Sequence, residues 1–381
     1  MKEYSKEDLK NIYKERVAHL SITACQEETD AIVFIDNEEH RDPAIRYYSG
    51  HTSDAILVIF KDSFTVLIAW DENLAKKNSI VDKIIPYSRY KNDQYDAVRA
   101  ALNSYKAIKV NKVELPPYLT YPEYLKFVDK LNSYHCRCIE DGLYNCSIKQ
   151  RLQKDEYEIE CTKEAAKVGD IIINQIEEKI KSGQIKTESD VALLIEKVCR
   201  DYGCERTGFD TLAAGPSRSF AIHAFPGYTN AAWPDQGLSI LDFGVVYKGY
   251  TSDTTVTVAK GPLTKEQEEQ LNLVEKAYLA SLDLYSPEHT IYEAAKMADL
   301  VFANAKRKMP HSLGHGIGLQ IHEGPRVSLK VDQKEKFLPG MIVTCEPGLY
   351  DAEIGGCRLE NDVLITENGH EVLTHSKIIR I

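Results

Sequence analysis

The feature that most constrains this chain is a pair of acids set into two apolar runs, in Leu241-Asp-Phe-Gly-Val-Val-Tyr-Lys-Gly-Tyr-Thr-Ser-Asp253. Residues 239–246 and 254–258 alternate and carry β-branched side chains, so both read as strands, with Lys248-Gly249 in the turn. A hairpin centred between Tyr247 and Lys248 sets Asp242 and Asp253 opposite or nearly opposite each other. Facing like charges destabilise a strand pair, and Asp is a poor strand residue. A cation is therefore expected between them. A divalent metal held by carboxylate oxygens meets that need.

A second stretch repeats the pattern. Met341-Ile-Val-Thr-Cys-Glu346 ends a strand on an acid, Gly355-Gly356 supplies a turn, and Cys357-Arg-Leu-Glu360-Asn-Asp-Val-Leu-Ile365 returns. A hairpin centred near Glu353 places Glu346 against Glu360. Just upstream lie His311, His315 and His322 in His311-Ser-Leu-Gly-His315-Gly-Ile-Gly-Leu-Gln-Ile-His322-Glu-Gly-Pro-Arg326. The glycines beside His315 allow close backbone approach and suit a kinked strand. Imidazole is a common ligand of first-row metals. Asp242, Asp253, His315, Glu346 and Glu360 then make a mostly oxygen-donor site, suited to two Mn²⁺, Co²⁺ or Fe²⁺ ions rather than a tetrahedral structural zinc.

The rest of the chain bounds these readings. Its 381 residues can bury a large core and suggest two domains. A net charge of −11 lacks the basic footprint of a nucleic-acid binder. The charged N-terminus has no apolar core behind it, and no run reaches membrane-spanning length, so neither a secretory signal nor a membrane anchor is expected. Nine scattered cysteines, with Cys136-Arg-Cys138 the one close pair, fit reduced thiols in the cytoplasm.

Residues 1–150 read as a mixed α/β unit, with strands at 31–35, 55–60 and 64–70 and helices at 95–105 and 121–131. His40, His51 and His135 stand alone there and read as surface or structural. Residues 146–158 form the expected junction. Residues 151–381 read as an α+β domain, a curved antiparallel sheet with helices on one side. Its helices include 155–185 and three that begin at capping boxes, Thr187-Glu-Ser-Asp190, Thr264-Lys-Glu-Gln267 and Thr290-Ile-Tyr-Glu293.

On these residues the chain resembles a known family. Asp242-Phe-Gly, Tyr250-Thr-Ser-Asp253, Gly314-His-Gly-Ile-Gly-Leu319, His322-Glu, Glu346-Pro-Gly and Arg358-Leu-Glu360 are similar to the M24-type pita-bread metallopeptidases over residues 150–381. Around Ile45-Arg-Tyr-Tyr-Ser-Gly50, the N-terminal half resembles the creatinase/prolidase-type N-terminal domain, which points to the Xaa-Pro peptidases. The resemblance implies hydrolysis of Xaa-Pro bonds in short proline-containing peptides. A dipeptidase is the first reading, an aminopeptidase P the alternative, and a non-catalytic binding protein the outside one. It also implies two divalent ions, Mn²⁺ foremost with Co²⁺, Fe²⁺ or Zn²⁺ as alternatives, and a homodimer.

The same resemblance assigns roles. Asp253 bridges both ions and Asp242 holds one. Glu346 accepts a proton, His322 stabilises the oxyanion, and His223 contacts substrate. Arg326 binds a dipeptide's terminal carboxylate, for which an Arg fork is suited. His311 lines the pocket or supports it from behind. Two positions depart from the family's common pattern, Val256 where relatives carry Arg and Asn361 where many carry Asp. Both are expected to bear on the surroundings of the ligands.

Overall fold

The computed structural model describes residues 4–233 and 236–381. They fall into two compact units, one running to Arg151 and the other spanning residues 152–381. Among the described residues no helix is long and apolar enough to cross a membrane, and all nine cysteines are free thiols.

The N-terminal unit is built on a six-stranded sheet. Its strands are β1 (Ala31–Asp36), β2 (Ala55–Phe60), β3 (Thr65–Ala69), β4 (Lys83–Pro86), β5 (Lys112–Glu114) and β6 (His135–Arg137). Their spatial order is β4–β3–β2–β1–β5–β6, antiparallel in β1–β2–β3 and parallel elsewhere. Every residue of β2 is apolar and buried, as a strand covered on both faces requires. Helices α1 (Lys6–Gln26), α2 (Pro43–Ser49), α3 (Glu72–Asn78), α4 (Gln94–Ser104), α5 (Tyr121–Lys130) and α6 (Leu143–Gln150) complete the unit. His51 is buried there with Nδ1 3.0 Å from the Ser79 hydroxyl, a structural role.

In the C-terminal unit three helices carry the expected N-terminal capping boxes, and a fourth carries one that was not expected. They are α7 (Glu156–Lys181), α8 (Glu188–Asp201), α9 (Lys265–Leu282) and α10 (Ile291–Asn304), with capping boxes at Asp155, Thr187, Thr264 and Thr290. In each box the cap side chain accepts from the third helical N–H while the acid or amide there reaches back, satisfying two otherwise orphaned donors.

The helices pack against short strands: β7 (Arg206–Thr207), β8 (Leu212–Ala214), β9 (Gly237–Phe243), β10 (Val245–Tyr247), β11 (Tyr250–Thr251) and β12 (Thr254–Lys260). After α10 come β13 (Gly314–Gly316), β14 (Glu323–Val327), β15 (Ile342–Cys345), β16 (Gly348–Asp351), β17 (Gly355–Arg358), β18 (Asn361–Thr366), β19 (Gly369–Val372) and β20 (Ile378–Arg380). One sheet runs β20–β12–β9–β8 and another β14–β13–β15–β18–β19. Ile172, Ile176, Val191 and Ile195 of α7 and α8 share an apolar cluster with Leu241, Phe243, Val256 and Val258. Leu271, Val274, Ala294 and Ala298 of α9 and α10 share another with Val343, Cys345 and Val363.

The first hairpin differs from its expected register. Tyr247 pairs with Tyr250, so the turn is the two residues Lys248 and Gly249, both at positive φ (47° and 93°). Such a turn matches the natural twist of a hairpin, and Gly at its second position relieves the strain. The centre therefore lies one residue later than the apolar pattern suggests. Asp242 faces Thr255 rather than Asp253. Because side chains alternate with period two, Asp253 still falls on the same face, diagonal to Asp242. The second hairpin has the expected register: Cys345 pairs with Asn361 and Gly348 with Arg358, which sets Glu346 opposite Glu360.

Candidate metal centre

A backbone link joins the two hairpins. Thr255 and Glu360 form an antiparallel bridge in which the Glu360 N–H donates to the Thr255 carbonyl at 3.2 Å. Asp242, Thr255, Glu360 and Glu346 thereby line up as one lateral row, with Asp253 beside it. His315 comes from β13, where the ladder shifts register between His315 and Gly316. A Cβ on Gly314 or Gly316 would collide with the carbonyl oxygen of Thr344 or Gly324, so the histidine needs these glycines for its strand to lie this close. Its Nε2 lies 3.5 Å from both Asp253 Oδ2 and Glu346 Oε1. Ligand atoms of Asp253, His315 and Glu360 all lie within 4.8 Å of one another.

The electrostatics call for a cation. Burial pushes the Asp253 and Glu360 carboxyls well above the usual carboxylate range, and each is raised further by the neighbouring acids. Burial lifts Glu346 to about 7, with Arg358 opposing and Asp242 adding to the rise. Burial also drives His315 down to about 4, so its imidazole is neutral at pH 7. The His315 Nδ1 proton faces the Gly316 carbonyl at 3.0 Å, which leaves the Nε2 lone pair directed at the acids. Asp242 Oδ1 is buried and no hydrogen bond reaches it. An orphaned carboxylate oxygen, a free imidazole nitrogen and converging acids fit divalent metal ions.

One guanidinium braces the row. Arg358, 2% exposed, donates from Nη2 to Asp242 Oδ2 at 2.6 Å and from Nε to the Thr255 hydroxyl at 2.9 Å. Its Nη1 reaches the Tyr350 hydroxyl at 2.7 Å and the Ile222 carbonyl at 3.2 Å. Tyr350 in turn meets His311 Nε2 at 3.0 Å, while His311 Nδ1 donates to the Ser312 carbonyl at 2.8 Å. His311 thus backs the site through hydrogen bonds. The Thr255 hydroxyl donates to Glu360 Oε2 at 2.6 Å, and the Asp253 N–H donates to Asp362 Oδ2 at 3.0 Å.

The remaining predicted residues sit at the rim. The His322 ring is 4.4 Å from that of His315, edge to face, and both His322 and His223 are exposed. Arg326 pairs with His315 across β13 and β14 and donates from Nε to the Ser312 hydroxyl at 2.6 Å, with its side chain exposed. Val256 and Asn361 alternate away from the row. Val256 packs in the α7/α8 cluster, and Asn361 bonds Tyr278, Thr374 and Ser376. Their departures belong to packing rather than to the ligand surroundings, because each lies one residue from a row member on an alternating strand. Sequence reasoning passed over Asp362 and the bracing role of Arg358. Their signal was available: Arg358, Glu360 and Asp362 repeat with period two, so three charges fall at alternate positions of the returning run.

Comparison with known proteins gives a consistent picture. The model of metallopeptidase family M24 matches residues 160–367. An Xaa-Pro dipeptidase of Pyrococcus horikoshii is 30% identical over 96% of this chain and 99% of its own. Among solved structures, an Xaa-Pro dipeptidase from Bacillus anthracis superposes with a TM-score of 0.83 at 27% identity, covering 97% of this chain and 100% of that one. An X-Pro aminopeptidase from Thermotoga maritima gives 0.82 at 26% identity, over 97% and 99%.

Proposed function

The chain belongs to metallopeptidase family M24, and on that basis we propose that it hydrolyses Xaa-Pro dipeptides with two divalent metal ions held by Asp242, Asp253, His315, Glu346 and Glu360. The observation that carries this reading is the acid row with the neutral His315 imidazole against it. When bound, the ions supply Lewis acidity and a water acidified into the neutral range. Mn²⁺ is the expected metal, on a donor set dominated by oxygen.

The chain's own groups do the rest. Glu346, which faces Glu360 across the second hairpin, is suited to take a proton and hand it to the leaving imino nitrogen. Burial first, and the nearby His223 next, hold His322 below the ordinary histidine range. Its neutral ring donates one N–H to the carbonyl oxygen as charge develops there. His223 orients the substrate. An X-Pro amide has no N–H, so proline is read by shape and apolar contact. The family resemblance and the free cysteines support action in a cytoplasmic homodimer.

Matched X-Pro, X-Ala and X-Pro-Y peptides, assayed on metal-reconstituted protein, test the reading. Rapid turnover confined to X-Pro is expected; equal turnover of X-Ala would overturn it. The likeness to the Thermotoga aminopeptidase supports a second reading, cleavage ahead of proline in longer peptides, which X-Pro-Y turnover would establish.

Arg326 provides a sharper check on dipeptide preference. Its Nε is engaged with Ser312 and its side chain is exposed, which leaves the two terminal nitrogens for a carboxylate. Arg326→Ala should raise KM for an Xaa-Pro dipeptide about 10- to 100-fold, the value of a charged hydrogen-bonded pair. KM for the C-terminal amide should barely move. An unchanged preference between acid and amide would remove Arg326 from this role.

A further inference from the structure

Glu188 is a carboxylate that none of the chemistry above uses. It is the first residue of α8 and is 1% exposed. The helix does not need it as a cap, because Thr187 and Asp190 already satisfy each other there. Its two oxygens are instead spent on a distant loop. Oε1 accepts from the Gly215 N–H at 2.8 Å and from Arg218 Nε at 3.2 Å. Oε2 accepts from the Thr229 N–H at 2.8 Å and the Thr229 hydroxyl at 2.6 Å.

Gly215 and Thr229 are the two ends of a segment with no helix or strand, and His223 sits at its middle. This segment buries little of its own apolar surface: Phe220, Phe225 and Tyr228 are 43%, 96% and 42% exposed. Ala221 and Ala224 pack with Leu212, Ala214 and Ile240, and the remainder of the segment is held by hydrogen bonds. Arg218 Nη2 donates to the Gly227 carbonyl at 3.3 Å, Ser189 donates twice to the Thr229 carbonyl, and Arg358 Nη1 holds the Ile222 carbonyl next to His223. Glu188 grips both ends through a single carboxylate.

The geometry points to Glu188 as a positioning residue whose carboxylate closes residues 215–229 into the loop that presents His223 to the substrate. This rests on the substrate-facing role of His223 in the function proposed above. A carboxylate is required because four donors converge on two oxygens that must both accept. A glutamine would turn an NH₂ group toward one pair of donors and release one end of the loop.

The test uses the metal-loaded full chain, an Xaa-Pro dipeptide and Glu188→Gln. The expected result is a loss of about 10- to 100-fold in kcat/KM, the cost of misplacing a group by an ångström. Metal content per chain should be unchanged. In a His223→Ala background the same substitution should cost less than about 3-fold, because the group it positions is already gone. Equal cost in the two backgrounds would make Glu188 merely structural and overturn the proposal, as would no cost in the wild type.

A second readout needs no activity. Chymotryptic cleavage after Phe220 and Tyr228 should be faster in Glu188→Gln, and an unchanged rate would also overturn the proposal. A wild type inert toward Xaa-Pro peptides, with cleavage accelerated in the variant, would instead sink the function and leave the staple standing. Should Glu188→Gln fail to fold, Thr229→Val removes one donor and is expected to show a smaller loss with the same dependence on His223; additivity there would overturn the proposal.

Discussion

Replacing Asp253 with Asn is expected to abolish metal-dependent hydrolysis and, at the same time, to make the chelated protein more heat-stable than chelated wild type. The two effects have one cause. Asp253 is fully buried among Glu360, Asp242, Asp362 and Glu346, and its carboxyl is pushed far up by burial and by those neighbours. Asn keeps the shape and has no proton to take up on folding, so the cost of holding that carboxyl neutral is removed. The substitution also removes a proposed ligand, and metal catalysis lowers the barrier by several kcal/mol, so activity should fall on the order of 10³-fold or more.

Adding metal should reverse the order of stability. Wild type gains roughly 2.7 kcal/mol when metal stands at about a hundred times its dissociation constant, and the variant gains less. Burial pushes Glu346 up to about 7, and Asp253 and Glu360 are also raised, so metal uptake by wild type near pH 7 should displace protons. Calorimetry in two buffers of different ionisation heat counts them. Melting curves with chelator and with Mn²⁺ check the rest. A chelated variant no more stable than wild type, or one that keeps its activity, would contradict the acid row as a metal centre.

Much of this acid row was legible because its members break the local rules. An acid within an apolar run is out of place in a strand, and two such runs with a glycine-flanked histidine between them leave few explanations other than a cation. The pita-bread fold of the M24 enzymes followed from the same motifs, and the solved relatives share it. The capping boxes at Thr187, Thr264 and Thr290 were readable because a cap is a short-range contract between residues three apart. The first hairpin's register was missed by one residue. Apolar alternation fixes which face a side chain takes, but the turn fixes its partner, and Lys248 at positive φ is not a usual turn signal. Glu188 left no local trace at all. Its partners lie 27 to 41 residues away, and an acid in the first helical turn looks like an ordinary response to the helix dipole.

Arg358→Met is expected to be the most destabilising single change at the site, and by different amounts with and without metal. The guanidinium holds Asp242, Thr255, Tyr350 and the Ile222 carbonyl at once, from a fully buried position. Methionine fills similar space but leaves the Asp242 carboxylate buried with neither oxygen bonded, since Oδ1 is already without a partner. Breaking a buried pair on one side costs about 3–5 kcal/mol. Metal ions offer Asp242 an alternative partner, so the loss should be larger in chelated protein than in metal-loaded protein. Arg358→Lys should rescue little, because one ammonium lacks the planar fork that spans these acceptors. Activity should fall in both variants even at saturating metal, because the Ile222 carbonyl beside His223 is released as well. Denaturant titrations of wild type and both variants, with chelator and with Mn²⁺, measure the difference directly. An equal loss under the two conditions would mean that Arg358 and the metals do not share Asp242, and a full rescue by lysine would mean that only its charge matters.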